Sequence, residues 1–364
     1  MLFYYSIILY VLIISLLFIN FSKKDKKIIV YLTMPILCSI AAFRNYNIGN
    51  DTFEYMRIFE TIKNSDNIFL MTDRYEIGYL LLNKIVSFVF SNSVSILFVT
   101  SIIIYIGFSI FIMKYSENPG FSIILFILMG YFAQSLNLIR FQIACVILLW
   151  AFDKILNKKI ISFLLLVFIA FLFHKTAIIF LLALPLRYMK LNLKNLSIIG
   201  FVTIIIYFLF DLVFNFLVNL FNYYNNYSGT SYFDGDVRLA SILYLLITIS
   251  ILLFAYFIRN NNSIYFEKSK FEDYMILLLY VGACILLLSF KFNLLDRVSD
   301  YFRIYSIILI PNLIKYVTSK DRRMIYSLSI IVLFVIYFSF IHLARPEWNN
   351  IYPYETWLKG NKII

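Results

Sequence analysis

Apolar runs approaching the ~20 residues that cross a bilayer recur along this chain, and most of its lysines sit in the short loops between them. That spacing leaves few folds open. With 62% hydrophobic and 14% charged residues, against roughly 25% charged in soluble chains, water is not its main solvent. The expectation is an all-α, polytopic integral membrane protein forming one domain over residues 1–364. The formal net charge of +12 invites a nucleic-acid reading, but lysines placed beside apolar runs are explained by membrane topology, and no nucleic-acid partner is expected. Cys38, Cys145 and Cys284 each lie inside an apolar run with no second cysteine nearby, which suits inert thiols and supplies neither a disulfide nor a metal framework. No Gly-rich phosphate loop and no soluble domain interrupts the runs. This argues against an ATP-driven pump and against a glycosyltransferase that carries its own nucleotide-sugar domain.

Loop charge orients the runs. Residues 2–21 lack a basic leader and a small-residue cleavage site, so they read as a retained helix. Lys23, Lys24, Lys26 and Lys27 follow and belong in the cytoplasm, which places the chain start outside. Residues 28–43 then cross outward and deliver a polar island, 44–76, to the external face. The next basic loop, Lys154, Lys158 and Lys159, is also expected inside, so an even number of crossings must lie between. Five candidate segments lie there: 28–43, 77–90, 94–113, 121–133 and 137–152. The shortest, 121–133, is flanked by glycine and is expected to be re-entrant from outside. From Lys154 onward the alternation closes, giving about twelve full crossings and one partial one. A second external loop, 221–238, is polar and aromatic.

The island concentrates the chemistry. It holds Arg44, Arg57 and Arg74 with several carboxylates, and within it residues 51–63 suit a short surface helix with Phe53, Ile58, Phe59 and Ile62 on its apolar face. This topology also puts Asp51, Glu76, Arg140, His174, Arg297 and Arg303 on or just below the outer face. Cytoplasmic loops carry mainly lysine, whereas the external set is rich in arginine, for which topology supplies no reason. Arginine's fixed fork of donors suits phosphate oxygens, so a phosphate or pyrophosphate ligand follows. Read blandly, each charge closes a loop as half of an ion pair, and a lone histidine such as His174 serves a structural hydrogen bond. Arg140 and Arg303 stand apart because each runs straight into an apolar segment, where a charge costs ~2.5 to 3.5 kcal/mol and faces a cavity or a partner.

Five short elements in a fixed order resemble the EpsG family of Wzy-like polysaccharide polymerases. The first is Arg44, Ile48, Gly49, Asp51, Thr52 and Tyr55, the second Glu76 and Gly78. The third is Asn137, Arg140 and Ala144, with Phe141 where the family commonly has glutamine and Gln142 one position later. His174, Thr176 and Ala177 form the fourth, and Arg297 with Tyr301 and Phe302 the fifth. The resemblance implies a multi-pass enzyme of the bacterial cytoplasmic (inner) membrane, of a GT-C-like membrane glycosyltransferase class. Its implied substrates are undecaprenyl-pyrophosphate-linked oligosaccharide repeats delivered to the outer leaflet. The growing O-antigen, capsule or exopolysaccharide chain passes from its lipid pyrophosphate to the nonreducing-end sugar of a new repeat. No cofactor, nucleotide or metal is expected at this step; a flippase and a chain-length regulator are the expected partners, beside the lipid bilayer.

On that reading Arg140, with Arg44, Arg297 or Arg303, holds the pyrophosphate and stabilises the charge that develops on it. The acceptor hydroxyl needs a base, for which His174, Asp51 and Glu76 are candidates, while Tyr55, Tyr223 and Tyr227 suit sugar rings. Two rivals carry distinct signatures. An O-antigen-ligase-like transferase usually has one large external loop late in the chain, and a flippase or transporter would carry charges midway along several helices. Here the external loops are modest, and Asp153, Asp211 and Lys291 lie near segment ends.

Overall fold

The computed structural model describes residues 1–18, 21–22, 25–212, 237–261 and 270–359. The described residues are helical, with a single isolated bridge between Arg44 and Thr356. In chain order the helices are α1 (Leu2–Leu17), α2 (Lys27–Ala42), α3 (Thr52–Lys63), α4 (Ile77–Val89), α5 (Val94–Tyr115), α6 (Pro119–Leu128), α7 (Tyr131–Asn137), α8 (Ile139–Leu156) and α9 (Ile160–Phe173). After a 3-10 run, Lys175–Leu182, and a single α-helical turn come α10 (Leu193–Phe208), α11 (Leu239–Asn261), α12 (Lys270–Leu288), α13 (Leu295–Arg303), α14 (Ser306–Ile314) and α15 (Lys320–Ala344). Among the described residues α5, α11, α12 and α15 are long and apolar enough to cross a bilayer, and the α6–α7 pair, bent by 58°, makes a fifth candidate. The chain forms two compact units, one of residues 1–178 with 318–364 and one of 179–317.

Side-chain contacts fix the direction of each helix in the first unit. At the start of α1, Tyr4 donates its hydroxyl to the Ile351 carbonyl (2.7 Å) and meets the Phe132 ring edge-on. Near its other end Ser15 lies against Gly120, where an added Cβ would come within 2.0 Å of its hydroxyl. Helix α6 therefore begins beside the end of α1, and the first turn of α7 lies beside its beginning. The pair, a broken span or a re-entrant loop, is capped by Asn118 ahead of Pro119 and bent at Gly130, whose φ of +90° is open to glycine. Every residue of α6 is buried, so the irregular backbone is shielded by protein.

Helix α4 is also short and apolar. Its first residues lie beside Arg140 and Lys175, while Lys84 donates to the carbonyls of Ile62 (3.3 Å) and Ser65 (2.8 Å). Lys63 reaches the Ser91 carbonyl (2.7 Å), and α5 starts at that same end, with Phe98 against Phe43. Both ends of α4 therefore sit at the island end of the unit. The physical reason lies inside the helix: Asn83 and Lys84 interrupt a 13-residue run that pairs with amphipathic α3. On α3 the buried face is Tyr55, Ile58, Phe59 and Ile62, and the expected Phe53 is 49% exposed. That placement makes α4 a second candidate for the segment that does not cross, beside the bent α6–α7 pair, which is either a broken span or a re-entrant loop. At the opposite, lysine-rich end, Lys114 and Tyr115 both bond Asp153.

Residues 345–357, after α15, fold back across the island as a strap. Asn45 N–H donates to the Glu355 carbonyl (2.9 Å), Asn47 to the Glu355 carboxylate (2.8 Å) and Gly49 N–H to the Asn350 carbonyl (2.9 Å). Phe3 stacks on Tyr354 with ring centroids 4.5 Å apart.

In the second unit, α12 packs against α10, α11, α13 and α14. Helices α13 and α14 are separated at Ile304 and Tyr305, and α14 contains Pro311, which lacks the N–H that a continuous helix would use. The expected loop 221–238, with Tyr223 and Tyr227, lies outside the described residues except at its last two positions.

Candidate functional site

The island begins with a turn that the chain grips from two sides. Gly49 has φ +83° and sits where an added Cβ would meet the Leu136 carbonyl oxygen at 2.5 Å. Thr52 Oγ1 lies 2.5 Å from the Ile48 carbonyl and 3.2 Å from that of Leu136, and Asp51 N–H donates to Asn137 Oδ1 (3.1 Å). The opposite side of the turn is held by the strap. Arg44 is spent on this assembly: it is 1% exposed, and its guanidinium donates to the Ala41 carbonyl and to Thr52 Oγ1. Burial lowers its pKa to about 10, against the opposing pull of Tyr105, Tyr354, Tyr55 and Tyr79. Tyr55 is likewise inside, 4% exposed and edge-on to Tyr79. Neither residue faces a ligand in this arrangement.

Arg140 is placed differently. It stands in the first turn of α8, 24% exposed, and pairs with the Glu76 carboxylate, which is 6% exposed. Its guanidinium also lies over the Tyr75 ring, 5.4 Å from the centroid, and Arg74 lies 5.3 Å from the same centroid. Glu76 Oε1 accepts the Lys175 N–H at 3.4 Å, which brings the end of α9 to the start of α4. Gly78 permits that approach, because a Cβ there would come within 2.7 Å of the Leu172 carbonyl. Burial lowers the pKa of the Lys175 ammonium, while Glu76 and Asp73 raise it. His174, half-buried, shares a hydrogen bond from Nδ1 to Thr176 Oγ1 (2.7 Å) and stands edge-on to Phe141, 5.5 Å between centroids.

Next to this cluster Tyr75 donates its hydroxyl to Glu54 (2.5 Å), which Arg57 binds through two nitrogens at 2.8 Å each. The hydrogen bond from Arg57 is the chief reason the Glu54 pKa is lowered. The result is a cationic group, Arg57, Arg74, Arg140 and Lys175, set around Glu54 and Glu76 at the island end.

The second unit carries Arg297 and Arg303. Arg297 is exposed, and its N–H donates to the Asp296 carboxylate (2.5 Å). Arg303 is 4% exposed, paired with Asp300 (2.7 Å), bonded to Thr248 (3.0 Å) and stacked over Tyr244, 4.7 Å from the ring centroid. Its charge is neutralised within α13, as a buried guanidinium requires.

The first four motif elements thus meet in space as well as in order, and the EpsG family model matches residues 27–356. The chain belongs to the EpsG family. It is therefore a Wzy-like polysaccharide polymerase in general class, with glycosyltransferase-type activity. No curated protein matches the chain, and no solved structure does.

Within this EpsG chain the first and third motif elements are joined by Asn137, and the second and fourth by Glu76 and the Lys175 N–H. Sequence reasoning did not single out Asn137, Tyr75 or Lys175 as site residues. The signal was present, since each adjoins or belongs to a motif element. Phe141, the departure from the EpsG pattern, packs on His174, while Gln142 is buried and donates to Gln134 Oε1 (3.3 Å).

Proposed function

We propose that this EpsG-family chain joins undecaprenyl-pyrophosphate-linked oligosaccharide repeats into a surface polysaccharide at the outer face of the bacterial cytoplasmic membrane. The observation that carries this reading is the partly open Arg140, set with Lys175 and His174 where α4, α8 and α9 meet. About twelve crossings, as the loop charges require, embed this end of the chain in lipid. The lysine-rich end, with Lys114, Lys154, Lys158 and Lys159, suits the cytoplasm, so the arginine cluster faces outward.

In the proposed reaction the acceptor sugar hydroxyl attacks the anomeric carbon of the growing chain. The bond from that carbon to the lipid pyrophosphate breaks, and its electron pair leaves with the pyrophosphate. Arg140 and Lys175 hold the departing group, with Arg140 matching its oxygens two at a time. His174 takes the hydroxyl proton, its ring oriented through Nδ1 by Thr176. The buried contacts of Arg44, Tyr55 and the Asp51 backbone hold the turn that supports Asn137, one turn of chain before Arg140.

Losing a preorganised donor to developing charge costs ~10² to 10³ in rate. Arg140→Ala and His174→Ala should therefore each abolish long-chain polymer while the protein remains in the membrane. Gel analysis of surface polysaccharide and of lipid extracts checks this: single repeats accumulating on lipid are expected. Polymer stranded on lipid would select a ligase, and repeats trapped on the inner leaflet a flippase.

A further inference from the structure

We infer that Glu76 is a built-in counter-ion that the pyrophosphate displaces from Arg140, so that substrate binding is an exchange of anions. The inference rests on the proposal that Arg140 holds the leaving group. The anion on Arg140 in this structure is the Glu76 carboxylate, and at 6% exposure that carboxylate is less accessible than its partner at 24%. Removing either member of such a pair strands the other charge, whereas replacing one anion by another does not. Glu76 meets Arg140 through Oε2 while its Oε1 accepts the Lys175 N–H; pyrophosphate is a suitable replacement because it offers the guanidinium fork a pair of oxygens on one phosphorus with more negative charge.

The surroundings favour exchange over dissociation. Tyr75 stays under the guanidinium and fixes its plane while the anion changes. Glu76 keeps the Lys175 N–H on Oε1, so it moves off Arg140 without losing every partner. Lys175, beside it, takes up electrostatic contact with whichever anion is released. Glu76 is in this account a positioning residue: it keeps a half-buried guanidinium aimed and its charge balanced until the pyrophosphate arrives, and lowers affinity for that group in doing so.

The test measures binding of inorganic pyrophosphate to the full-length chain in lipid nanodiscs, by calorimetry, for wild type, Glu76→Gln, Glu76→Asp and Arg140→Ala. Exchange predicts that Glu76→Gln binds at least about 10-fold tighter than wild type, because a competing charge is gone. Glu76→Asp, which keeps the competing charge, stays near wild type. Equal or weaker binding by Glu76→Gln, with Arg140→Ala still abolishing binding, overturns the exchange and leaves the pyrophosphate site standing. Undiminished binding by Arg140→Ala overturns the site itself. Should Glu76→Gln fail to fold, the wild-type protein serves. Its carboxylate infrared band, assigned by isotope labelling of glutamate, shifts on adding pyrophosphate if Glu76 leaves Arg140; an unchanged band ends the proposal.

Discussion

Arginine residues of similar standing in the sequence have different fates in the fold. Arg44 and Arg140 are each placed in a motif, yet Arg44 is enclosed by its own loop and Arg140 is partly open. A motif fixes where a backbone atom lies along the chain; it does not fix which way a long side chain turns, and that depends on contacts many residues away. Glycine is more legible, because its presence reports a backbone need. Gly49 combines positive φ with a carbonyl where a Cβ would go, so Gly49→Ala should lower stability by about 1 to 3 kcal/mol and misplace Asn137. A thermal melt in detergent checks this, and an unaltered melting temperature with normal polymer would show that the turn tolerates a side chain.

At the scale of elements, apolar length made most helices readable, but it does not decide between 77–90 and 121–133 as the segment that does not cross. Residues 77–90 and 121–133 are both short and apolar, and 77–90 is the less apolar of the two because it holds Asn83 and Lys84. What separates them is the company they keep: Lys84 reaches back to the end of α3, and α6 is sealed by its neighbours on all sides. The mid-helix pair Asn83 and Lys84 was the available clue. Because both ends of α4 lie at the island end, cysteines placed at Asp73 and at Ser91 should react with the same membrane-impermeant thiol reagent added outside intact cells. A cysteine at Lys158 should react only after permeabilisation. Opposite labelling of the Asp73 and Ser91 positions would restore α4 as a span.

For the whole molecule, composition alone was enough to read a lipid-embedded helical protein, and the order of five short elements was enough to read its family. The contacts between those elements were not legible, since each joins residues far apart in the chain. The strap shows this most strongly: no periodicity or motif announces that residues 345–357 belong against residues 43–50. A chain stopped after Ala344 should insert and retain its helices, because the strap spans no membrane, yet make no long polymer. Membrane fractionation alongside polysaccharide gels checks this; normal polymer from the shortened chain would reduce the strap to a surface fitting.

The strap also sets a timetable. Asn47 and the Glu355 carboxylate that binds it are separated by 308 positions, so a nascent chain exposes its arginine-bearing turn long before the ribosome has made that turn's partner. Until then the turn is held from one side alone. If the strap is needed for polymer, an incomplete polypeptide already threaded into lipid stays idle until residues 345–357 have been made.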